Sequence, residues 1–281
     1  MRDLRDYVRP ASPEEAIDIK KRHGERAAYL AGGSDLLVCR PRNLEVAIDI
    51  RHCGLGYVRE TEEAYVIGGA ALLRDAEREL AGVAGGMLRN ALRNTAPWLI
   101  RNAATVAGNI ANASPAADCV PALMALDAEL ILMDGEEERV PVAGVLVGPH
   151  QTTLGDRLIR EIHLPKTASG RRAVFTKLAR SASDIALVNL AVAVEREGEV
   201  IREARIALGA VAPVPMRAER AEGLLAGQRP TPELLREVEQ IVREEVSPIS
   251  DWRASEQYRR RMSGVLVRRA LEQIMAMGEG T

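Results

Sequence analysis

The sequence predicts an α+β protein, with two α/β modules followed by a smaller unit of antiparallel sheet and helices. Three observations carry this. Short apolar runs alternate with helix-period segments as far as Pro165, and a polar, glycine-containing stretch, KTASGRR (166–172), then breaks the pattern. Beyond it, three long strand-like runs come before three helical patterns. Finally, 281 residues exceed the usual single core, and 47% hydrophobic content with only 3% aromatic makes Ala, Leu, Val and Ile the core-forming residues, as suits helices packed on sheets. The expected domains are 1–170, divided into halves of about 1–55 and 56–170, and 171–281.

Each element has a local reason. Ser12 can cap free N–H groups, Pro13 needs no N–H partner and Glu15 completes a capping box, so a helix should run from there to about Gly24. AAYLAGG (27–33) reads as a short buried strand ending in glycines, and EVAIDI (45–50) as the next strand. A strand at 64–69 precedes helical stretches at 72–80 and 86–96, the second stopped by Pro97. Residues 101–133 mix small and turn-forming types, become helical near Val120 and extended near Glu129, and DRLIREIHLP (156–165) closes the module as a strand. After 172, AVFTKLAR, DIALVNLAVAVER and ARIALGAVA read as strands, with Glu197-Gly198 turning the second back toward the third. Helices are expected at 216–226, at 231–246 opened by Thr231, and from about Ala254 to Met275.

Composition excludes several functions. With 38 basic and 40 acidic residues, a net charge of -2 and no long run of one sign, no field gathers nucleic acid or an anionic membrane. The N-terminal MRDLRDYVRP is charged where a signal peptide is apolar, and no run approaches the ~20 apolar residues of a membrane span, which reads as cytoplasmic. Cys39, Cys53 and Cys119 lie far apart without a CxxC pair, and His23, His52, His150 and His163 lack ligand spacing, so no metal site, cluster or disulfide framework is expected.

Two segments carry chemistry. In Leu30-Ala31-Gly32-Gly33-Ser34-Asp35-Leu36-Leu37 a strand runs into adjacent glycines, which let backbone N–H groups converge on phosphate oxygens without Cβ interference. The alternative is a plain turn with Asp35 capping a short helix. The second segment runs from Arg101 through Ala104, Thr105, Gly108, Asn109 and Asn112 to Asp118, and its small residues suit a backbone lying flat against a ligand. Asp118 is either the cap of the following helix or an acceptor for a ribose hydroxyl, and Arg101 either an anion ligand or a structural ion pair. GxxxxGK[ST], GxGxxG after a strand and GxSxG are all absent, so two glycine-rich elements without a nucleotide signature point to a different fold for a diphosphate ligand.

Four segments taken together, LAGGSDLL, RNAATVAGNIANASPAADCVPALMALDAEL, FTKLARSASDIALVNLAVAV and SDWRASEQYRRRMSGVLVRRAL, resemble the FAD-binding medium subunit of the xanthine dehydrogenase and carbon monoxide dehydrogenase (molybdenum hydroxylase) family. The resemblance implies a two-part, PCMH-like α/β FAD domain with FAD extended between its halves. The backbone from Ala31 to Asp35, flanked by Leu30 and Leu36, would wrap the pyrophosphate. Thr105, Gly108 and Asn109 would reach it from the other half, with Ala104 and Asn112 beside them. Asp118 would accept from ribose or ribityl hydroxyls, Ile159 would pack on flavin or adenine, and Lys177 would face the flavin pyrimidine ring, where a cation favours the reduced anion. Two departures stand out: Ala107-Gly108 replaces the family's usual pair of glycines, and Thr176 stands where some members place the lysine.

The same resemblance implies an electron-transfer subunit with no catalytic acid or base of its own. Its partners would be a large molybdopterin-binding subunit and a small subunit with two [2Fe-2S] clusters, in a heterotrimer or its dimer. Electrons would reach FAD from the clusters and leave to NAD, oxygen or another acceptor. Two rival expectations are a stand-alone flavin enzyme of the UDP-N-acetylenolpyruvoylglucosamine reductase type and a nucleotide-binding scaffold that never turns over.

Overall fold

Ser12 opens the first helix as expected: its Oγ accepts from the Glu15 N–H at 3.2 Å, while Glu15 reaches back to the Ala11 N–H at 2.7 Å. This is a computed structural model that describes residues 4–39 and 43–277, with the backbone alone of Ser169; the extreme ends of both expected domains lie outside the described residues. Strand β1 (Asp6–Val8) leads to helix α1 (Pro13–His23), strand β2 (Ala27–Leu30), the short helix α2 (Leu36–Cys39) and strand β3 (Val46–Asp49). The strands pair in parallel in the order β1-β3-β2, with Ala47 opposite both Tyr7 and Ala28. Buried Lys20 closes the end of α1 by donating to the carbonyls of Gly24 and Ala27 and pairing with Asp156. Strand β2 stops at Leu30, three residues short of the expected end, because the chain turns out of the sheet at the glycines.

The second layer comprises β4 (Val58–Glu60), β5 (Ala64–Gly68), α3 (Leu73–Glu79), α4 (Met87–Asn94), α5 (Trp98–Arg101), α6 (Val106–Ala111), α7 (Cys119–Ala125), β6 (Glu129–Asp134), β7 (Glu136–Pro141), a hairpin of β8 (Leu146–Gly148) and β9 (Gln151–Thr152), and β10 (Leu158–Pro165). Its sheet runs β4-β5-β10-β6-β7, and every pairing is antiparallel. Ile67, Leu130 and Ile162 from the strands meet Leu88, Leu92, Ile110 and Leu123 from the helices in one buried cluster. The edge strand β7 is guarded by the exposed charges of Glu136, Glu137, Glu138 and Arg139, which discourage pairing with another chain.

Following the turn α8 (Lys166–Ser169), strands β11 (Arg172–Leu178), β12 (Val188–Glu197), β13 (Val200–Gly209) and β14 (Met216–Arg217) form an antiparallel sheet in that order. Period-2 alternation divides β12 between two cores: Ala191 and Ala193 face the core that contains α7, whereas Leu190, Val192 and Val194 face α10 and α11. Small side chains on the first face let the sheet approach α7 closely. Helices α9 (Glu219–Leu225), α10 (Pro232–Glu245) and α11 (Glu256–Ala276) complete the chain, and the last two are capped by the hydroxyls of Thr231 and Ser255. The helix expected over 216–226 begins only at Glu219, because Met216 and Arg217 pair with Leu208 and Ala207 as a short strand. The chain is thus α+β, as expected.

Candidate functional site

The turn after β2 and the segment leading into α6 form the two walls of a cleft of about 360 Å³. They touch through Gly32: a Cβ there would lie 2.1 Å from the Ala103 carbonyl oxygen and 2.7 Å from the Ala104 Cα, so only glycine permits this approach. Gly33 has φ +68°, the left-handed region that reverses the chain into α2. The N–H groups of Gly32, Gly33, Ser34, Asp35 and Leu36 meet no acceptor among the described residues, and all five residues line the cleft. On the opposite wall, buried Thr105 caps α6 by accepting from the Gly108 N–H at 3.0 Å. Among the described lining residues Asp35 supplies the only carboxylate, and there is no Lys or Arg. The turn therefore offers a diphosphate a set of converging backbone dipoles.

Ala31 to Leu36 come together with Ala104, Thr105, Gly108, Asn109 and Asn112 around this one cleft. Leu30, Asp118, Ile159 and Lys177 do not line it. Leu30 is buried behind the turn, and Ile159 is buried in β10 at a register shift. Asp118 sits at the N-cap position of α7 without capping it, since its oxygens are taken by the Lys177 ammonium at 2.7 Å and the Asn189 amide at 2.6 Å. Burial pushes the Asp118 carboxyl above the usual carboxylate range, although Lys177 and Asn189 pull it down. Lys177 is no surface lysine: its side chain is 8% exposed, and its ammonium also donates to the Asn94 carbonyl at 2.9 Å. Through Asn94 this buried group reaches Thr95 and Ala96, which line the cleft.

Sequence reasoning missed Tyr29, Cys39, Leu73, Thr95, Ala96, Ile100 and Ala111 in the lining. It also missed Asn189, whose amide donates to Ala116 and Ala117 carbonyls as well as to Asp118 and so pins the third sheet against the cleft segment. The available signal was a single amide inside the apolar run VNLAVAV. Arg101 is structural: it donates to the carbonyls of Arg93 and Ala96 and faces Glu77 at 3.3 Å. The buried Cys119 thiol, which burial pushes up, donates to the Asn109 side chain and fixes its orientation. Among the described residues no three His, Cys, Asp or Glu side chains converge as a metal site, and no helix is long and apolar enough to cross a membrane.

Residues 2–167 match the family described as the FAD binding domain in molybdopterin dehydrogenase, and 173–274 the carbon monoxide dehydrogenase flavoprotein C-terminal domain. The glyceraldehyde dehydrogenase medium chain of Sulfolobus acidocaldarius is 30% identical over 275 residues, covering 95% of this chain and 97% of that one. The carbon monoxide dehydrogenase medium chain of Hydrogenophaga pseudoflava is 30% identical over 276 residues, with 95% of each covered. A solved structure of carbon monoxide dehydrogenase from the latter organism, lacking the Mo-pyranopterin moiety, superposes with a TM-score of 0.92 at 30% identity over 97% of this chain and 98% of that one. Fold and cleft thus define an FAD-binding oxidoreductase subunit. More particularly, the chain belongs to the FAD-binding medium subunits of the carbon monoxide dehydrogenase and xanthine dehydrogenase family of molybdenum hydroxylases.

Proposed function

We propose that this chain is the electron-relay subunit of a molybdenum hydroxylase and holds FAD noncovalently across the cleft between residues 31–36 and 104–112. The observation that carries this is the cleft itself, where five N–H groups without acceptors among the described residues face a wall of small residues. Bound there, FAD supplies the capacity to take up electrons from [2Fe-2S] clusters of a small partner subunit and release them to NAD or another acceptor. The chain's own residues bind and orient. Gly32 to Leu36 hold the pyrophosphate by backbone donors, with Leu30 and Ala31 supporting the turn. Ala104, Thr105, Gly108, Asn109 and Asn112 close over it. Ile159, Asp118 and Lys177 support the ring-bearing ends from behind the lining, Lys177 through Asn94.

The assembly is a heterotrimer or its dimer with a large molybdopterin-binding subunit, and its location is cytoplasmic. The domain boundary falls in the polar stretch 166–172, so 1–170 hold the cofactor and 171–281 brace it. No His or Cys lies in either glycine-rich segment to attach flavin covalently; Cys39 lies just beyond the first. Chain produced alone and incubated with FAD is expected to turn yellow at about one flavin per chain and to release it on acid precipitation. A chain that stays colourless with excess FAD overturns the proposal, and flavin left on the acid precipitate overturns its noncovalent part.

A further inference from the structure

Another cavity, of about 430 Å³, opens where the chain leaves the second layer for the third sheet, between the turn α8 and the tip of the β12–β13 hairpin. Among the described residues it shares no lining residue with the FAD cleft, and its charged lining residues are Arg171, Arg172, Arg196 and Glu195. The arginines arrive from both sides of the sheet. Arg172 stands opposite Val194 on the face that meets α10 and α11, whereas Arg171 turns to the other face, toward Asp127 beyond the end of α7. Arg196 comes from the end of β12, where the pairing with β13 shifts register. Glu195 is already engaged, accepting from Arg202 at 2.7 Å.

Each arginine keeps donors without acceptors. Arg171 gives its two terminal nitrogens to Asp127 and Glu203, both at 2.6 Å, yet its Nε has no acceptor among the described residues although the side chain is only 8% exposed. Arg172 donates from one nitrogen to the Met277 carbonyl at 2.6 Å and meets no carboxylate among the described residues. The Arg196 side chain has no hydrogen bond or ion pair among the described residues, and its Nε too is closed off from water. A guanidinium N–H shut away from water without an acceptor is unfavourable, and two of them at one cavity call for acceptor oxygens. A carboxylate presents two oxygens in one plane, whereas three arginines converging from two strands surround a tetrahedral group. We propose that this cavity binds a phosphate dianion, either free or carried on a small phosphomonoester. Gly170 and Gly198 leave open space at its walls, so a short organic group fits beside the phosphate. Bound there, the anion joins the linker, through Arg171 and Arg172, to the hairpin, through Arg196.

The test uses the full chain with and without saturating FAD, so that the diphosphate-binding turn is filled in one arm, at about pH 7.5, where phosphate is mostly dianionic. Inorganic phosphate and glycerol 3-phosphate are titrated separately by calorimetry, and the melting midpoint is followed by circular dichroism. With FAD present, one site per chain with a Kd below about 1 mM is expected, and the midpoint should rise as the site fills. Arg196→Gln and Arg172→Gln are each expected to weaken binding roughly tenfold or more, the loss of one charge-assisted hydrogen bond, whereas Arg261→Gln, on an exposed position of α11, leaves it unchanged. Arg196→Lys keeps the charge without the fork and should fall between. Tighter binding of the glycerol ester makes the ligand a phosphomonoester, and tighter binding of inorganic phosphate makes it the free ion; either outcome supports the site. No saturable binding of either probe overturns it. So does binding that both glutamine variants leave intact, binding that Arg261→Gln weakens equally, or binding seen only without FAD, which belongs to the cofactor cleft.

Discussion

The ammonium of Lys177 holds a buried carboxylate, because Asp118 is closed off from water and, among the described residues, its side chain is bound to Lys177 and Asn189. Lys177→Met keeps the stem and removes the charge, leaving Asp118 unpaired at a cost of about 3–5 kcal/mol. Chemical denaturation followed by circular dichroism should show that loss, and adding Asp118→Asn should recover part of it. An unchanged midpoint in the single variant would mean that Asp118 is already neutral. The cysteines permit a second test. Cys39 is exposed and lines the cleft, whereas Cys53 and Cys119 are buried, and burial pushes the Cys53 thiol up to about 11. A thiol reagent at neutral pH is therefore expected to modify Cys39 alone in the folded chain, and FAD to slow it. Equal reaction of all three thiols would contradict the burial of the other two.

At the scale of elements, the two cleft walls depend on glycine for different reasons, and the difference is measurable. Gly32→Ala drives a methyl group into the Ala103 carbonyl and pushes the walls apart, whereas Gly33→Val forces a β-branched residue to φ +68° and loosens the turn into α2. Both are expected to lose most FAD affinity and keep their far-ultraviolet dichroism; an alanine at 32 that binds FAD like wild type would show that the walls do not meet at that point. Much of this was legible in the sequence. Ser12 and Thr231 announced their helices because capping is local, and residues 31–36, 104, 105, 108, 109 and 112 stood out because small residues cluster in those two segments. Strands β1, β4 and β14 were not legible, being two or three residues long and held by register with distant partners rather than by their own periodicity. Strand β7 hides for another reason: as a solvated edge, EEERVP has almost no apolar face to alternate. Lys177 and Asn189 were beyond reach as a pair, since their meeting at Asp118 depends on how the third sheet docks.

Over the whole molecule, acid should act at both ends of the chain. Arg51 and then Tyr7, bonded to Asp49 against the upward push of burial, hold its carboxyl well below the usual carboxylate range and tie β1 to β3. In the last domain burial pushes Asp251 up, but Arg253, two backbone N–H groups and Arg259 together hold it well below that range. Both folded values lie below the unfolded value of about 4, so this stabilisation is present above pH ~4 and is lost as pH falls through the folded values. Thermal unfolding midpoints are expected to drop on acidification below pH ~4, and Asp49→Asn to flatten that drop; equal slopes in variant and wild type would refute the linkage. The exposure of both tryptophans, Trp98 at 66% and Trp252 at 78%, decides how such melts can be followed. The indole rings are the chain's main ultraviolet emitters, and both already sit in solvent, so unfolding leaves their surroundings almost unchanged. Intrinsic emission is accordingly nearly blind to melting of the core, yet responds to any chain that covers either ring and, by energy transfer, to a flavin arriving beside α5.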